Sequence, residues 1–505
     1  MKKLSLKQVR NITILLLLIV YTGCESEGFL SPEPETIETG ANFFETEDQF
    51  LQSVNGAYSR LQEWVLQAHV LLEARSDNTT NDNELNRGVL ASISRIDWFG
   101  MRADESEVEQ AWNTLFTGIK DANLPLSELD RARQNGILEE ELAQRLEGEL
   151  KFLRGFFYFT AVRLWGDVPL ILEPFSSGLE TFEIVRNPKE EVFEAILQDL
   201  RDAETLLPES FDSSNKGRAT SFAAKAMLAK VYLWQSNFAN AEEKLREIVN
   251  SNRFSLLQDY SRIFDPDNKF NDEIIHEVPF KQGSEGESSN FIFQFAPVGS
   301  FPEVIPRLVS DGTWGKNLPT LQLVNAYEDG DLRREASIGI FDPQGENIPY
   351  VKKWDEATNE DFARTNHNWP LIRYADVLLM LAEAINEQGG NMSEAETFLN
   401  QVRNRAALND TTTMGQSELR DIILQERRFE LAFENHRWFD LVRKGVAVEV
   451  MRAHGEEFTD NPPTPFNQVN PLPDDAFNVQ EFMTLYPIPE NEIILNDNMT
   501  QNPGY

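Results

Sequence analysis

The sequence predicts a mostly α-helical chain, a scaffold of repeated helix pairs with an irregular, loop-rich second part and a few short strands. Three observations predict it. Apolar residues recur at helical spacing from the start of the ordered part, as at Phe50, Val54, Ala57 and Leu61. One helix-pair pattern occurs twice, in "AMLAKVYLWQSNFANAEEKLREIV" and "LAEAINEQGGNMSEAETFLNQV". Around the second copy the texture changes: residues 260–370 and 450–485 are rich in Gly, Pro, Asn and aromatics.

The N-terminus comes first. Lys2, Lys3, Lys7 and Arg10 precede an unbroken apolar run from Ile14 to Val20, and small or polar residues follow. Basic head, short apolar core and small exit together are the layout of a secretory signal peptide, expected over 1–23. The run is too short to span a bilayer, which takes roughly 20 apolar residues. Cys24 is the chain's single cysteine. A Gly-Cys step after a signal core resembles the lipobox of bacterial lipoproteins, which are cut before the Cys and lipidated on its thiol. Tyr21 and Thr22 depart from that pattern, standing where Leu or a small residue is commoner. A lipidated Cys24 leaves no free thiol and no disulfide, which suits the oxidising cell exterior. Residues 24–42, with their Pro, Glu, Gly and Thr, are expected to be an extended tether.

The helices follow in order. Thr46 and Gln49 fit a capping box that opens the first. "ELKFLRGFFYFTAVRLW" and "VFEAILQDLRDAETLLP" have helical length and periodicity, and "WGDVP" closes the former through Gly166 and Pro169. In the two repeats, Ala229, Tyr232, Phe238, Ala241, Leu245 and Ile248 are matched by Ala382, Ile385, Ala395, Leu399 and Val402. That spacing resembles a tetratricopeptide helix pair, with small residues where the helices cross. Ser393 and Glu396 are expected to cap the last of these helices. Such pairs bury their apolar faces only by stacking, so their Met and aromatic residues are expected to be core. "EIIHEVPF" is a strand candidate, and "YPIP" suits extended surface backbone.

Charge bounds the partners. The chain carries 83 acidic and 46 basic residues, a net −37, and cleavage before Cys24 would remove cations only. Such a surface repels nucleic-acid phosphates and anionic lipid. At 41% hydrophobic and 10% aromatic, the chain is no disordered acidic tail. No later segment is long and apolar enough to span a bilayer.

Six blocks in one order now resemble a single family. They are "FLSPEPET" after the lipobox, "KFLRGFFYFTAVRLWGDVPLI", "KGRATSFAAKAMLAKVYLW", "NWPLIRYADVLLMLAEAINE", "RRFELAFENHRWFDLVRKG" and "LYPIPENEIILNDNMTQNPGY". The set resembles the SusD/RagB family of outer-membrane nutrient-binding lipoproteins over nearly the whole chain. The resemblance implies about four tetratricopeptide units with an irregular part packed on them. It implies a Bacteroidetes lipoprotein facing the cell exterior, binding a glycan or oligosaccharide (less often a peptide) and delivering it to a SusC-like TonB-dependent transporter. It implies no enzyme and no cofactor. The expected organisation is a helical region at 43–259 and a C-terminal region at 260–505. The latter holds a loop-rich insertion at 260–370, a helix pair at 371–406 and a C-terminal helix and capping segment at 417–505.

The blocks themselves look like fold determinants. Arg427 with Glu430, and Arg437 with Asp440, stand three apart on a helix and are expected to pair. Arg373, Asp376 and Glu383 lie off the apolar stripe of "LIRYADVLLMLAEAI". His436 and Asp440 have metal-ligand spacing, but their charged helix favours a structural role. "DPDNKFNDE" from Asp265 resembles a calcium loop only in its first acids, so a surface calcium ion is a minor alternative. A glycosidase needs two carboxylates at a set separation, which a chain this acidic offers by chance. No Gly-x-Ser-x-Gly, His-Glu-x-x-His or phosphate loop is present. A tetratricopeptide envelope scaffold and a surface glycan hydrolase stay as alternatives to the binding protein.

Sugars lie on aromatic rings and pair their hydroxyls with polar groups. The candidate ligand-binding residues are therefore Arg75, Asp77, Asn78 and Asn81 in "EARSDNTTNDNE", with Trp98, Trp314 and Trp354.

Overall fold

The computed structural model describes residues 43–81, 91–175, 177–283, 287–305, 313–355, 364–413, 415–460 and 472–505. The expectations for the signal segment, Cys24 and the tether lie outside the described residues.

The chain is mostly helical, as its periodicity predicts. Helix α1 (Glu47–Leu72) opens on the Thr46–Gln49 capping box and buries Phe50, Val54, Ala57, Leu61, Trp64 and Ala68. The short α2 (Ala91–Asp97) leads to α3 (Ser106–Gln134), which packs on α1. Helix α4 (Glu140–Trp165) is buried on every side from Phe152 to Val162, so no exposed face interrupts "FLRGFFYFTAV". Glycine lets its neighbours come close. A Cβ on Gly118 of α3 would stand 2.5 Å from the Phe157 ring of α4. Gly166, at φ 75°, ends α4 in a conformation that glycine adopts without strain.

The stack continues through α5 (Lys189–Leu206), α6 (Ser221–Trp234) and α7 (Phe238–Asn250), each packed on the one before. Helix α7 then packs on α11 (Tyr374–Glu387), across the insertion between them, and α11 packs on α12 (Met392–Arg405). The two repeats seen in the sequence are thus neighbours in space, which is how tetratricopeptide-like pairs bury their faces.

All the strands but β1 lie in the segment between α7 and α11. β1 (Thr79–Thr80) pairs with β3 (Leu318–Pro319), and β2 (Ile274–Val278) with β6 (Trp369–Arg373). β4 (Ile338–Phe341) and β5 (Ile348–Val351) form a hairpin. The short helices α8 (Phe291–Phe295), α9 (Leu321–Ala326) and α10 (Leu332–Ser337) lie among them. Ile292, Phe293, Val304, Ile305, Leu318 and Phe341 make a second, smaller core here.

Helices α13 (Gln416–Glu430), α14 (Arg437–Arg443) and α15 (Ala447–Asp460) follow, and α16 (Glu490–Leu495) lies near the chain end. The last segment is sewn to α4. Tyr486 N donates to Leu164 O at 2.7 Å, Trp165 Nε1 to Pro487 O at 3.1 Å, and Asn502 Nδ2 to Trp165 O at 3.0 Å.

Four local expectations are corrected. "YPIP" is extended but buried, because the Tyr486 hydroxyl reaches inward to Leu71 O. Ser393 is inside α12 rather than its cap, which is Asn391, and Glu396 instead accepts from Thr413 N and Oγ1. Arg427 and Glu430 do not pair: Arg427 binds Asp376 and Asp440, while Glu430 receives Arg333, Arg373 and Arg405. Arg437 likewise leaves Asp440 for Asp77. Arg373, Asp376 and Glu383 are buried: α11 is covered all round, Glu434 answers Arg373, and Arg427 of α13 and Arg443 of α14 answer Asp376 and Glu383.

Candidate functional site

The loop after α1 does not face solvent. Arg75 is fully buried, donating to Ile96 O at 3.0 Å and Met483 O at 2.6 Å, with its guanidinium 4.0 Å from the Phe99 ring centroid. Asp77 pairs with Arg437 and Arg428, which hold its carboxyl well below the usual range against the opposing pull of burial. Asn78 joins Glu73 to Arg428. Asn81 bonds Asp97 and receives Asn317 N. Trp354 is sealed, stacked on Trp369 with ring centroids 4.6 Å apart.

These five candidates are therefore corrected to interior structure. The polar run looks like a surface loop in sequence. It is buried because α13 and α14 bring arginines down upon it, and burial is tolerated only where each charge has a partner. Trp98 is half-buried against the main core, and its indole N–H has no partner among the described residues.

Trp314 stands apart from them. It is partly exposed and lines a cleft of about 300 Å³ with His69, Val70, Gln294, Lys316 and Glu107. The backbone fixes it from below: Trp314 N donates to Phe293 O at 2.9 Å, and Lys316 N to Gln294 O at 2.7 Å. The Lys316 ammonium lies 5.1 Å from the Trp314 ring centroid. Gln294 is anchored through Nε2 to Leu66 O at 3.1 Å and Asn290 Oδ1 at 2.7 Å.

His69 is the least satisfied group of the cleft. It is buried edge-on to Phe295, 5.0 Å between centroids, and neither ring nitrogen has a hydrogen-bond partner among the described residues. Burial, helped by Lys316, holds its pKa well below the usual value, so it is neutral at pH 7. Burial also lowers the Lys316 pKa, with Glu107 opposing.

A second trough of about 320 Å³ shares Glu63 and Gln110 with the cleft and continues along α3 past Asn113 and Thr117. Its Glu63 is tied to Arg60 at 2.9 Å, and Glu107 of the cleft to Ser106 at 2.9 Å. The acids that burial raises to about 7, Glu73 and Asp97, are in the interior instead. Farther along, exposed Phe175 and Phe182 line a larger, mostly apolar groove of about 690 Å³. Among the described residues, no group of three or more His, Cys, Asp or Glu can hold a metal ion.

The cleft pairs one aromatic face with amide, ammonium and carboxylate groups around it. That arrangement suits a ring that offers C–H faces and hydroxyls. Of the residues lining this cleft, the sequence reading named Trp314 and did not name His69, Gln294 or Lys316. The signals were a lone His in "LQAHVLL", a lone Gln in "FIFQF" and the Lys two residues past the Trp.

A profile described as "SusD family" matches residues 342–505. One described as "Starch-binding associating with outer membrane" matches residues 46–233, so the two together cover more than half of the chain. The chain belongs to the SusD/RagB family. It is 28% identical to SusD-like protein P25 of Formosa agariphila, over 99% of this chain and 100% of that one. It is 25% identical to the starch-binding protein SusD of Bacteroides thetaiotaomicron, over 72% of this chain and 73% of that one. A laminarin-binding SusD-like protein of solved structure superposes with a TM-score of 0.74 at 25% identity, over 91% of this chain and 100% of that one. The SusD-family fold, a mostly helical body with few short strands, is therefore the fold of this chain. Two of these relatives carry glycan-binding names, and one of the matching profiles is described as associating with the outer membrane.

Proposed function

We propose that this chain is a lipid-anchored protein of the outer cell surface that captures an oligo- or polysaccharide and delivers it to a SusC-like TonB-dependent transporter. The observation that carries the binding step is the Trp314 cleft. A sugar ring laid on the indole would place hydroxyls toward Lys316, Glu107 and Gln294, and a longer chain would run on into the trough beside Gln110 and Asn113. The unpartnered His69 nitrogens supply a further donor and acceptor at the cleft wall. Cys24 would carry the anchor, with residues 24–42 as its tether. Binding without turnover is supported by the relatives' names and by Glu63 and Glu107, both held in hydrogen bonds to their neighbours.

The test is calorimetric titration of the purified protein with neutral glycans, acidic glycans and peptides, with product release assayed in the same samples. A saturable glycan signal that Trp314→Ala removes supports the reading. Product release would replace it with a hydrolase. Silence across the panel, together with co-purification of assembly factors in place of a barrel transporter, would replace it with an envelope scaffold.

A further inference from the structure

A cavity of about 100 Å³ lies between helices of the stack and shares no lining residue with the Trp314 cleft. Helices α1, α4, α6 and α14 wall it, and Trp64, Trp234 and Trp369 give it an aromatic lining. Four cations face it: Arg163, Lys230, Arg427 and Arg443.

Three of the four are neutralised. Lys230 pairs with Asp376, Arg427 with Asp376 and Asp440, and Arg443 with Glu383 and Asp440. Arg163 is not. Its Nε donates to Phe159 O of its own helix at 2.9 Å. Its two terminal nitrogens have no hydrogen-bond or ion-pair partner among the described residues.

Arg163 is half-buried and flanked by two phenylalanine rings. Its guanidinium stands 3.8 Å from the ring centroids of both Phe159 and Phe439. Such contacts engage the π faces and leave the in-plane N–H donors free. Burial brings its pKa down to about 9, with Asp440 opposing, so the group is still charged at pH 7. A charged fork without an acceptor, in a chain of net charge −37, is a place where an anion improves the electrostatics.

We propose that this cavity binds a small organic monocarboxylate, its two oxygens on the terminal nitrogens of Arg163 and its apolar body against Trp64, Trp234 and Trp369. One uncompensated positive charge calls for a monoanion. A planar fork matches the two coplanar oxygens of a carboxylate. The volume admits a ligand of a few heavy atoms, or the several waters that it would displace. The acid is either free or the carboxyl group of a sugar acid entering by the cavity mouth.

The experiment is calorimetry of the full chain in detergent at pH 7 and constant ionic strength, with acetate, glucuronate and glucose as probes. Tryptophan fluorescence gives a second readout. Saturable binding of acetate, with glucose silent, is the expected result. Glucuronate binding as tightly as acetate would make the source a sugar acid, and acetate binding alone would make it a free small acid. Arg163→Met should weaken acetate at least tenfold, and Arg163→Lys, which keeps the charge and loses the fork, should weaken it less. Trp314→Ala should leave acetate binding unchanged, which separates this site from the proposed glycan cleft. Absence of saturable binding by either acid, equal binding of glucose, or wild-type acetate affinity in both Arg163 variants would overturn the proposal.

Discussion

Arg437 and Asp77 are 360 residues apart in sequence and form a two-point pair in the interior, Nε to Oδ1 at 2.8 Å and Nη2 to Oδ2 at 3.0 Å. Arg428 binds the same carboxylate at 2.9 Å. The loop after α1 is thereby locked to α13 and α14. Asp77→Asn keeps the shape and removes the charge that answers two buried guanidinium groups. It should cost about 3–5 kcal/mol in chemical denaturation at pH 7. The sign with pH follows from the depressed native pKa. The ionised carboxyl stabilises the fold above its unfolded pKa of about 3.9, and that contribution is lost as pH falls toward the native value. The gap between wild type and variant should therefore narrow below about pH 4. A gap that stays constant with pH would mean that Asp77 contributes by shape alone.

Two tryptophans should separate by what they lose. Trp314→Ala is expected to weaken glycan binding by an order of magnitude or more, because packing of sugar C–H groups on its partly exposed ring is the main apolar contact the cleft offers. Its melting temperature should move by no more than about 2 °C. Trp354→Ala removes a ring stacked on Trp369 and packed against Phe264 and Phe291, and should cost about 3–5 kcal/mol of stability. Glycan titration and thermal unfolding of both variants decide it. The opposite assignment would return Trp354 to the binding surface.

The Gly118–Phe157 approach gives a packing test. An alanine methyl would stand 2.5 Å from the ring edge, and Phe157 is fully buried in α4 and cannot swing away. Gly118→Ala should destabilise by about 1–3 kcal/mol through overpacking, outweighing alanine's better helix propensity. Pairing it with Phe157→Leu should recover part of the loss. Denaturant midpoints of the two single variants and the double variant measure the recovery.

The helices were legible because a 3.6-residue period needs only local sequence, and Phe50, Val54, Ala57 and Leu61 display it directly. That the two helix pairs stack was legible from the repeated pattern, but that α7 packs on α11 is seen only in the fold. The ion network was not. At Arg427, local spacing offers Glu430, yet the fold supplies Asp376 from α11 and Asp440 from α14 at 2.7 and 2.9 Å. A buried charge takes whichever partner completes its desolvated shell, and that choice is made by tertiary packing, not by position along one helix. The same reason put Arg75 and Asn78 in the interior. Of the cleft, Trp314 was legible from its Gly-flanked loop. His69 was not, because an apolar helix context says core, and what exposes its need for a partner is the empty space beside its ring.

Asp97 offers the sharpest test of electrostatics in the loop. Its Oδ2 accepts from the Thr80 hydroxyl at 2.8 Å and from Asn81 N at 3.3 Å, while Oδ1 is buried with no partner among the described residues. Burial outweighs those bonds and raises its pKa from 3.8 to about 7. For an acid raised in this way the sign is opposite to that of Asp77. Between about pH 4 and 7 the folded chain holds a proton that the unfolded chain has released, so stability falls as pH rises through that window. Asp97→Asn keeps the Oδ2-type acceptor and never ionises. It should be close to neutral at pH 5 and stabilising at pH 8, by on the order of 2 kcal/mol. Urea midpoints of wild type and variant at the two pH values make the comparison. An Asn variant less stable than wild type at pH 8 would show that the ionised Asp97 is favoured in the fold, and that a cation or donor reaches Oδ1.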